Sequence, residues 1–151
     1  MPVEDMEKQH PVRVEDYGLI SDSCGAEKYR GGIGIRHSYR LLNGEATLQL
    51  RADRVRFARY GLSGGLSGQK SRNFIHDRNG LRLLPGKVTM TIYQGDLIIH
   101  EQAGGGGFGP PLEREPGRIK HDLQSGKISA AHALQYYDYE DVDRDGVSPM
   151  K

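Results

Sequence analysis

The sequence predicts an α+β fold, mainly antiparallel β with long glycine-rich loops and two short C-terminal helices. Two observations lead to this prediction. Short segments alternate apolar and polar residues as far as His100, and helical spacing begins only after Pro110 and Pro111. Strands that come before helices are typical of an antiparallel sheet with helices at one end. We assign residues 1–138 to one domain and residues 139–151 to an acidic, flexible tail.

Strands are expected first in the N-terminal half. Val12 and Val14 alternate with polar residues, which allows a short strand, whereas residues 1–32 otherwise lack a clear period. A strand is predicted over 33–42 and a second over 46–50, joined by the turn at Asn43-Gly44. That dipeptide favours positive φ at both positions and is a strong hairpin signal. The two strands are therefore predicted to pair.

The alternation continues at Val55 and Phe57 before glycine, serine and polar residues take over at 61–80. Glycine loses much backbone entropy on ordering, so 61–80 is predicted to be one long loop. A half-buried strand follows over 87–92, then a turn at 93–96 and a strand over 97–100.

Two helices are predicted near the C-terminus. Ile119 and Leu123 are four residues apart, and Gly126 is placed to end a helix near Ser125. Ser129 can cap a second helix that runs to about residue 137. Its buried side is predicted to contain Ala130, Ala133, Leu134 and Tyr137.

Composition excludes several classes of protein. Hydrophobic residues make up 36% of the chain and 21 residues are glycine, so the core is small and a neighbouring protein is expected to support it. A formal net charge of +1 gives no field for nucleic acid or anionic lipid. No apolar run reaches the roughly 20 residues of a membrane helix. A single cysteine, Cys24, cannot form an internal disulfide and fits a reducing cytoplasm.

Glycine motifs are the most conspicuous candidates for a site. Backbone amides of AGGGGFG, residues 103–109, could hold a phosphate if they opened a helix, but two prolines follow and no Lys-Ser/Thr pair does. The cluster at 31–34 precedes a strand, which is the wrong context for a dinucleotide site. We therefore interpret the glycines of these motifs and of the 61–80 loop as structural: Gly31, Gly32, Gly64, Gly65, Gly104, Gly105, Gly106 and Gly107.

No set of catalytic or metal-ligating residues is complete. DVDRDG, residues 141–146, begins like a calcium loop, but its twelfth position falls beyond Lys151, so a solvated tail is favoured. No two of the six histidines have metal-ligand spacing, and His76-Asp77 is the one pair that stays a weak candidate for a ligand. His121 and Asp122 are expected on an exposed helix face. A catalytic role for Cys24 would need a histidine close in space.

Three polar residues remain as weak candidates: Arg30, Arg72 and Asn73. All three occur within loop motifs. Hydrogen bonds that brace the backbone are the favoured explanation, and contacts near a substrate or an interface are the alternative.

Several long motifs resemble the C-terminal part of the hydantoinase B/oxoprolinase family. They are DSCGAEKYRGGIGIRHSYRLL at 22–42, DRVRFARYGLSGGLSGQKSRN at 53–73 and LPGKVTMTIYQGDLIIHEQAGGGGFGPPLEREP at 84–116. Together they cover nearly the whole chain except the tail. Two departures stand out. Cys24 and Glu27 occupy glycine positions of the family's D-S-G-G-A-G. Phe108 and Pro110 replace the tyrosine and aspartate of its G-G-G-G-Y-G-D-P.

The resemblance implies a part in ATP-dependent hydrolysis of cyclic amides such as hydantoins or 5-oxoproline. In such enzymes the B-type chain has a metal bound by histidines and carboxylates upstream of this region, and ATP is bound by an A-type chain. We therefore expect no cofactor on this chain, and a divalent metal and ATP on partner regions. The implied partners are a metal-bearing N-terminal half of a hydantoinase B-like subunit and a hydantoinase A-like ATPase.

Three interpretations stay open. Met1 falls in the middle of the usual chain of the family that the sequence resembles, so we expect either a separately encoded C-terminal subunit or a truncated product. The first function is a split subunit of a cyclic-amide hydrolase. The alternatives are a fragment of an acetone-carboxylase-type subunit, and a non-catalytic interaction module or remnant.

Overall fold

The computed structural model describes residues 3–141, which contain seven strands and three α-helices. The helices are α1 (Val3–Gln9), α2 (Pro116–Gln124) and α3 (Ala130–Tyr137), with a short 3-10 turn at Pro111–Glu113. The strands are β1 (Val12–Leu19), β2 (Ile35–Leu41), β3 (Glu45–Arg51), β4 (Arg72–Asp77), β5 (Gly80–Leu84), β6 (Lys87–Tyr93) and β7 (Leu97–Glu101). The α+β prediction is confirmed. No helix in this part of the chain is long and apolar enough to cross a membrane.

The strands form two antiparallel sheets. A five-stranded sheet has the order β1-β2-β7-β4-β5, and β3 pairs with β6 in a second, two-stranded sheet. One hydrophobic cluster contains residues from both sheets, including Leu41, Ile75 and Ile98 from the larger and Leu48 and Ile92 from the smaller. The main core therefore lies between the sheets.

A second hydrophobic cluster supports the helices. Ile119 and Leu123 of α2 pack with Ala133 and Tyr137 of α3 and with Ala26 from the loop after β1. The helices thus cover a loop rather than a sheet.

The hairpin predicted at Asn43-Gly44 is wrong. β2 pairs with β1 and β7, whereas β3 pairs with β6, so the chain passes from one sheet to the other at this turn. Gly44 has a φ of +66°, but Asn43 lacks the positive φ that the predicted turn requires. The chain returns to the larger sheet at β4. A later crossing, from β6 to β7, lies near Gly95, whose N–H donates to the carbonyl of Leu41 over 2.8 Å.

The loop predicted over 61–80 is also partly wrong, because β4 begins at Arg72 and pairs with β5 and β7. Its buried side chains are Asn73 and Ile75, and because Asn73 is polar the strand shows no apolar alternation in sequence. Conversely, β3 ends at Arg51, and the alternation at Val55 and Phe57 belongs to bends outside any strand.

Two further corrections concern the helices. The sequence pattern does not predict α1, which lies against β1, where the N–H of Val14 donates to Glu7 Oε1 over 2.8 Å. In α3 the buried side chains are His132, Ala133 and Tyr137, whereas Ala130 is exposed and Leu134 is 48% exposed. The predicted cap is confirmed, since Ser129 Oγ accepts from the N–H of His132.

Candidate functional site

Three loops interlock beside the sheets, and we call them the glycine-loop assembly: residues 20–34, 58–71 and 102–110. Backbone hydrogen bonds join each loop to the others. The N–H of Gly25 donates to Gly105 O over 3.0 Å, that of Gln69 to Ser23 O over 2.7 Å, and that of Gly104 to Gln69 O over 3.1 Å. The loops therefore satisfy one another's polar backbone groups, as strands do in a sheet.

Close approach of these backbones explains the glycine content. A Cβ added to Gly104 would lie 1.7 Å from Ser23 O, and one added to Gly106 would lie 2.0 Å from Tyr60 O. A Cβ added to Gly31 would lie 2.7 Å from Gly106 O, and one added to Gly65 would lie 2.6 Å from Gly107 O. Any side chain at these positions would need the space that a neighbouring backbone fills.

Two of the glycines singled out by sequence differ from the rest. A Cβ on Gly32 would meet nothing within 4 Å, so space does not require glycine there. Gly64 has a φ of +91°, which makes its requirement conformational instead.

Glu27 lies in the middle of the assembly. Its side chain is fully buried, and Oε1 accepts a hydrogen bond from the N–H of Gly31. Oε2 has no partner among the described residues. Burial raises the pKa of Glu27 to about 7, against the lowering effect of the Gly31 N–H and of Arg114 and Arg30.

Asp122 joins the assembly to the helices. It is 3% exposed, and its Oδ2 lies 2.7 Å from Arg114 Nη2 and 3.1 Å from Arg30 Nε. Lys127 Nζ lies 3.8 Å from Oδ1. The exposed position predicted for Asp122 is wrong, because a carboxylate with this many cations can be buried. His121 is exposed, as predicted.

Each of the three weak candidates has a specific polar partner. Arg30 binds Asp122, and its Nη1 also donates to Gly31 O over 3.1 Å. Arg72 Nη2 lies 2.8 Å from Glu101 Oε2, and Asn73 Oδ1 lies 2.8 Å from His100 Nδ1. Arg30 thus contacts α2, whereas Arg72 and Asn73 contact β7. Contacts of these three residues near a substrate or an interface stay the alternative hypothesis.

The two departures from the family motifs have different settings. Neither Cys24 nor Glu27 has a positive φ, so their backbones carry no strain of the kind that requires glycine. Cys24 is buried, and burial raises the pKa of its thiol. Phe108 is 51% exposed and its ring lies 6.4 Å from that of Tyr29. Pro110 packs near Gly64.

Apolar side chains cover the outer surface of the assembly. The backbone of Phe108 pairs with that of Tyr29 and with that of Leu62. Tyr60, two residues before Leu62, is 73% exposed. We call these four residues the apolar patch. Exposed apolar patches are common at sites of protein–protein interaction.

Within residues 3–141, no three or more His, Cys, Asp and Glu side chains are grouped to hold a metal ion. Asp77 of the His76-Asp77 pair accepts from the N–H of Asn79 and binds Arg82, which closes the β4–β5 turn. The calcium-like DVDRDG motif lies, from residue 142 on, outside the described residues.

The hydantoinase B/oxoprolinase family model matches residues 1–111. The chain belongs to this family. It is 34% identical over 159 residues to a protein of Pseudomonas sp. strain NS671 that is named as the B component of a D-/L-hydantoinase, covering 99% of this chain and 26% of that one. An uncharacterised protein of Methanocaldococcus jannaschii is 35% identical over 145 residues, which is 95% of this chain and 25% of that protein.

Solved structures show the same fold in this hydantoinase B/oxoprolinase chain. The ATP-dependent caprolactamase of Pseudomonas jessenii superposes with a TM-score of 0.80 at 24% identity, over 95% of this chain and 26% of that one. A nucleotide-free acetone carboxylase superposes with a TM-score of 0.75 at 21% identity, over 95% of this chain and 24% of that one. The chain spans about a quarter of the length of the Pseudomonas and Methanocaldococcus relatives.

Sequence reasoning missed the buried charges. Glu27 stands where the family motif has glycine, and that departure was the one signal pointing to it. Arg114 and Asp122 carried no signal, because their burial depends on a contact between distant parts of the chain. In sequence, His100 is only a histidine without a ligand-spaced neighbour.

Proposed function

We propose that this chain is the C-terminal part, or a separate C-terminal subunit, of an ATP-dependent enzyme that hydrolyses cyclic amides. It completes the fold and the interface of a metal-bearing partner region. Its own contribution is positional: the partner supplies the metal and a hydantoinase A-like subunit supplies ATP chemistry. Metal coordination would make a bound water acidic enough to attack an activated amide near neutral pH.

Family membership combined with the apolar patch carries this proposal. The patch lies on the glycine-loop assembly, which holds it rigidly through backbone hydrogen bonds. A chain of about a quarter of its relatives' length that presents such a surface is suited to pack against the remainder of a larger subunit.

Capture of partners from the native cells tests the proposal. The tagged chain should recover a metal-bearing hydantoinase B-like region and a hydantoinase A-like ATPase, and the recovered complex should hydrolyse hydantoin, 5-oxoproline or a lactam only with ATP. Recovery of neither would leave a non-catalytic module or a remnant as the function.

A pair of substitutions locates the interface. Phe108→Asp places a charge in the apolar patch and should abolish recovery of the partner. Leu81→Asp, on β5, is the matched control, since Leu81 is similarly exposed at 63% and lies outside the patch. Equal loss in both variants, or no loss in either, would refute the patch as the interface.

An acetone-carboxylase-type subunit is the second candidate, favoured by the TM-score of 0.75 to such an enzyme. The same captured complex distinguishes the two. ATP-dependent incorporation of labelled bicarbonate into a ketone, with no ring opening, would establish the carboxylase.

A further inference from the structure

One cleft lies between the ends of the two sheets, bordered by the glycine-loop assembly and lined by none of the residues of the apolar patch. Its volume is about 570 Å³, and we call it the inter-sheet cleft. The end of β3 and the residues after it, 49–54, form one wall. Asn73 of β4 and His100 of β7 form the other, and Ser71 and Ala103 lie beside them.

Cationic side chains predominate around the cleft. Arg51, Arg54 and Arg59 line it, against the carboxylates of Asp53 and Glu101. Glu101 is already neutralised, because its two oxygens lie 3.1 Å from Arg36 Nη2 and 2.8 Å from Arg72 Nη2. The arginines of the cleft therefore leave an excess of positive charge that favours an anion.

Asn73 supplies a buried donor that lacks a partner. The residue is 3% exposed, and its Nδ2 has no hydrogen-bond partner among the described residues. Its Oδ1 lies 2.8 Å from His100 Nδ1. Burial lowers the pKa of His100, so the ring is neutral near pH 7 and donates its Nδ1–H to that oxygen.

This bond fixes the orientation of the Asn73 amide and leaves its N–H₂ group without an acceptor. An unpaired buried donor is unfavourable, because it has lost water without gaining an acceptor. A ligand oxygen would remove that cost.

The guanidinium of Arg59 has N–H donors available for a ligand. Its Nη1 lies 3.4 Å from Ala103 O, a long hydrogen bond that places the guanidinium at the cleft wall. A guanidinium carries five N–H donors in a planar fork that suits carboxylate and phosphate oxygens. Arg54 is held nearby, with a φ of +63° and its carbonyl accepting from the N–H of Ser71 over 3.1 Å.

We propose that the inter-sheet cleft binds a small oxoanion, a carboxylate or a phosphate. Arg59 and Arg54 pair with its charge, and Asn73 Nδ2 donates to one of its oxygens. The proposal goes beyond the proposed function, because it concerns a ligand that this chain binds with its own residues and requires neither the metal nor the ATPase.

Amide correlation spectra of the full labelled chain test this, with acetate and inorganic phosphate as probes at constant ionic strength. Saturable shifts are expected for the Asn73 side-chain amide and for the backbone amides of residues 51–54. The probe that saturates at the lower concentration distinguishes a carboxylate site from a phosphate site. Acetamide is the uncharged control and should cause no saturable shift.

Variants of the cleft residues make the test specific. Arg59→Gln should weaken binding about tenfold, as expected for the loss of a charge-assisted bond. Arg82→Gln removes an equal charge beside Asp77 at the β4–β5 turn and should leave binding unchanged. Asn73→Asp should abolish binding by repulsion; Arg54→Gln replaces it as the second variant if Asn73→Asp does not fold.

Three outcomes would overturn the proposal. They are the absence of saturation with both probes, shifts spread evenly over surface arginines, and equal weakening by Arg59→Gln and Arg82→Gln. None of these bears on the capture experiment, so the two proposals can fail separately.

Discussion

At the scale of single residues, two of the buried carboxylates, Asp122 and Glu27, have very different surroundings. Asp122 has Arg30, Arg114 and Lys127 within 4 Å. Glu27 has one hydrogen-bonded oxygen and one without a partner among the described residues, and its pKa is raised to about 7. Cations surround the first, whereas burial favours the neutral acid of the second.

Glu27 should therefore make stability depend on pH. The folded chain holds the proton to about pH 7, whereas the unfolded carboxyl releases it near 4.5, so folding stability falls as pH rises through this interval. Glu27→Gln retains an acceptor for Gly31 and should be the more stable form above pH ~7, by up to about 3 kcal/mol.

Chemical denaturation of both proteins at a series of pH values measures the difference. Glu115→Gln, at an exposed position, is the control and should follow the wild-type profile. A Glu27→Gln advantage that is the same below pH 4.5 as above 7 would contradict the role given to ionisation.

For Asp122, in contrast to Glu27, removing the charge is expected to lower the stability of the fold. Asp122→Asn leaves two arginines facing a neutral amide in the interior, and should cost about 3–5 kcal/mol of unfolding free energy. Urea denaturation measures it. Asp77→Asn, which breaks the Arg82 pair at the β4–β5 turn, should cost far less, and comparable losses in the two variants would refute the distinction.

At the scale of elements, the glycine motifs behave as one unit. Gly104→Ala would drive a methyl group into the carbonyl of Ser23 and should cost more than about 3 kcal/mol. Gly32→Ala, in the facing loop, meets nothing within 4 Å at a φ that alanine adopts, and should change stability little. Thermal unfolding of the two variants provides the comparison; similar melting temperatures would contradict it.

The strands show what local sequence can and cannot predict. The alternating pattern predicted the positions of β3 and β6 well. In each strand every second side chain faces the core, as Leu48 does in β3 and Ile92 does in β6. Asn43-Gly44 predicted a turn correctly but its pairing wrongly. The choice between continuing in one sheet and entering the other depends on which distant strand completes the core, and no short window contains that information.

For the candidate site, too, the sequence identified a residue but not its partner. Arg30 was singled out from its place in a glycine motif, and it does make specific contacts. Its partner could not be predicted, because Asp122 is 92 residues away in sequence. Spacing predicts periodic features, whereas burial of a charge depends on which groups meet after folding.

At the scale of the whole molecule, residues 3–141 contain two hydrophobic clusters. The inter-sheet cluster contains β-strand side chains, and the smaller one joins α2 and α3 to Ala26. Regions with fewer apolar contacts open at a lower free energy. The helices should therefore open before the central strands β2, β7 and β4.

Native-state hydrogen exchange tests this order. Amides of α2 and α3 should exchange with a smaller opening free energy than those of β2 and β7. Asp122→Asn should lower protection in the helices and the glycine-loop assembly while leaving the central strands nearly unchanged. A uniform loss across the chain would show that the two clusters open together.

The interlocked glycine loops also constrain the order in which the chain folds. The backbone of each loop packs directly against the backbones of the others. No loop therefore has its packing partners until all three are in place. Their ends are anchored at β2, β4 and β7, which are adjacent in one sheet. Closing such loops before the sheet exists would cost chain entropy with little return. We therefore expect the sheet to be the nucleus, and the glycine loops to set late and together.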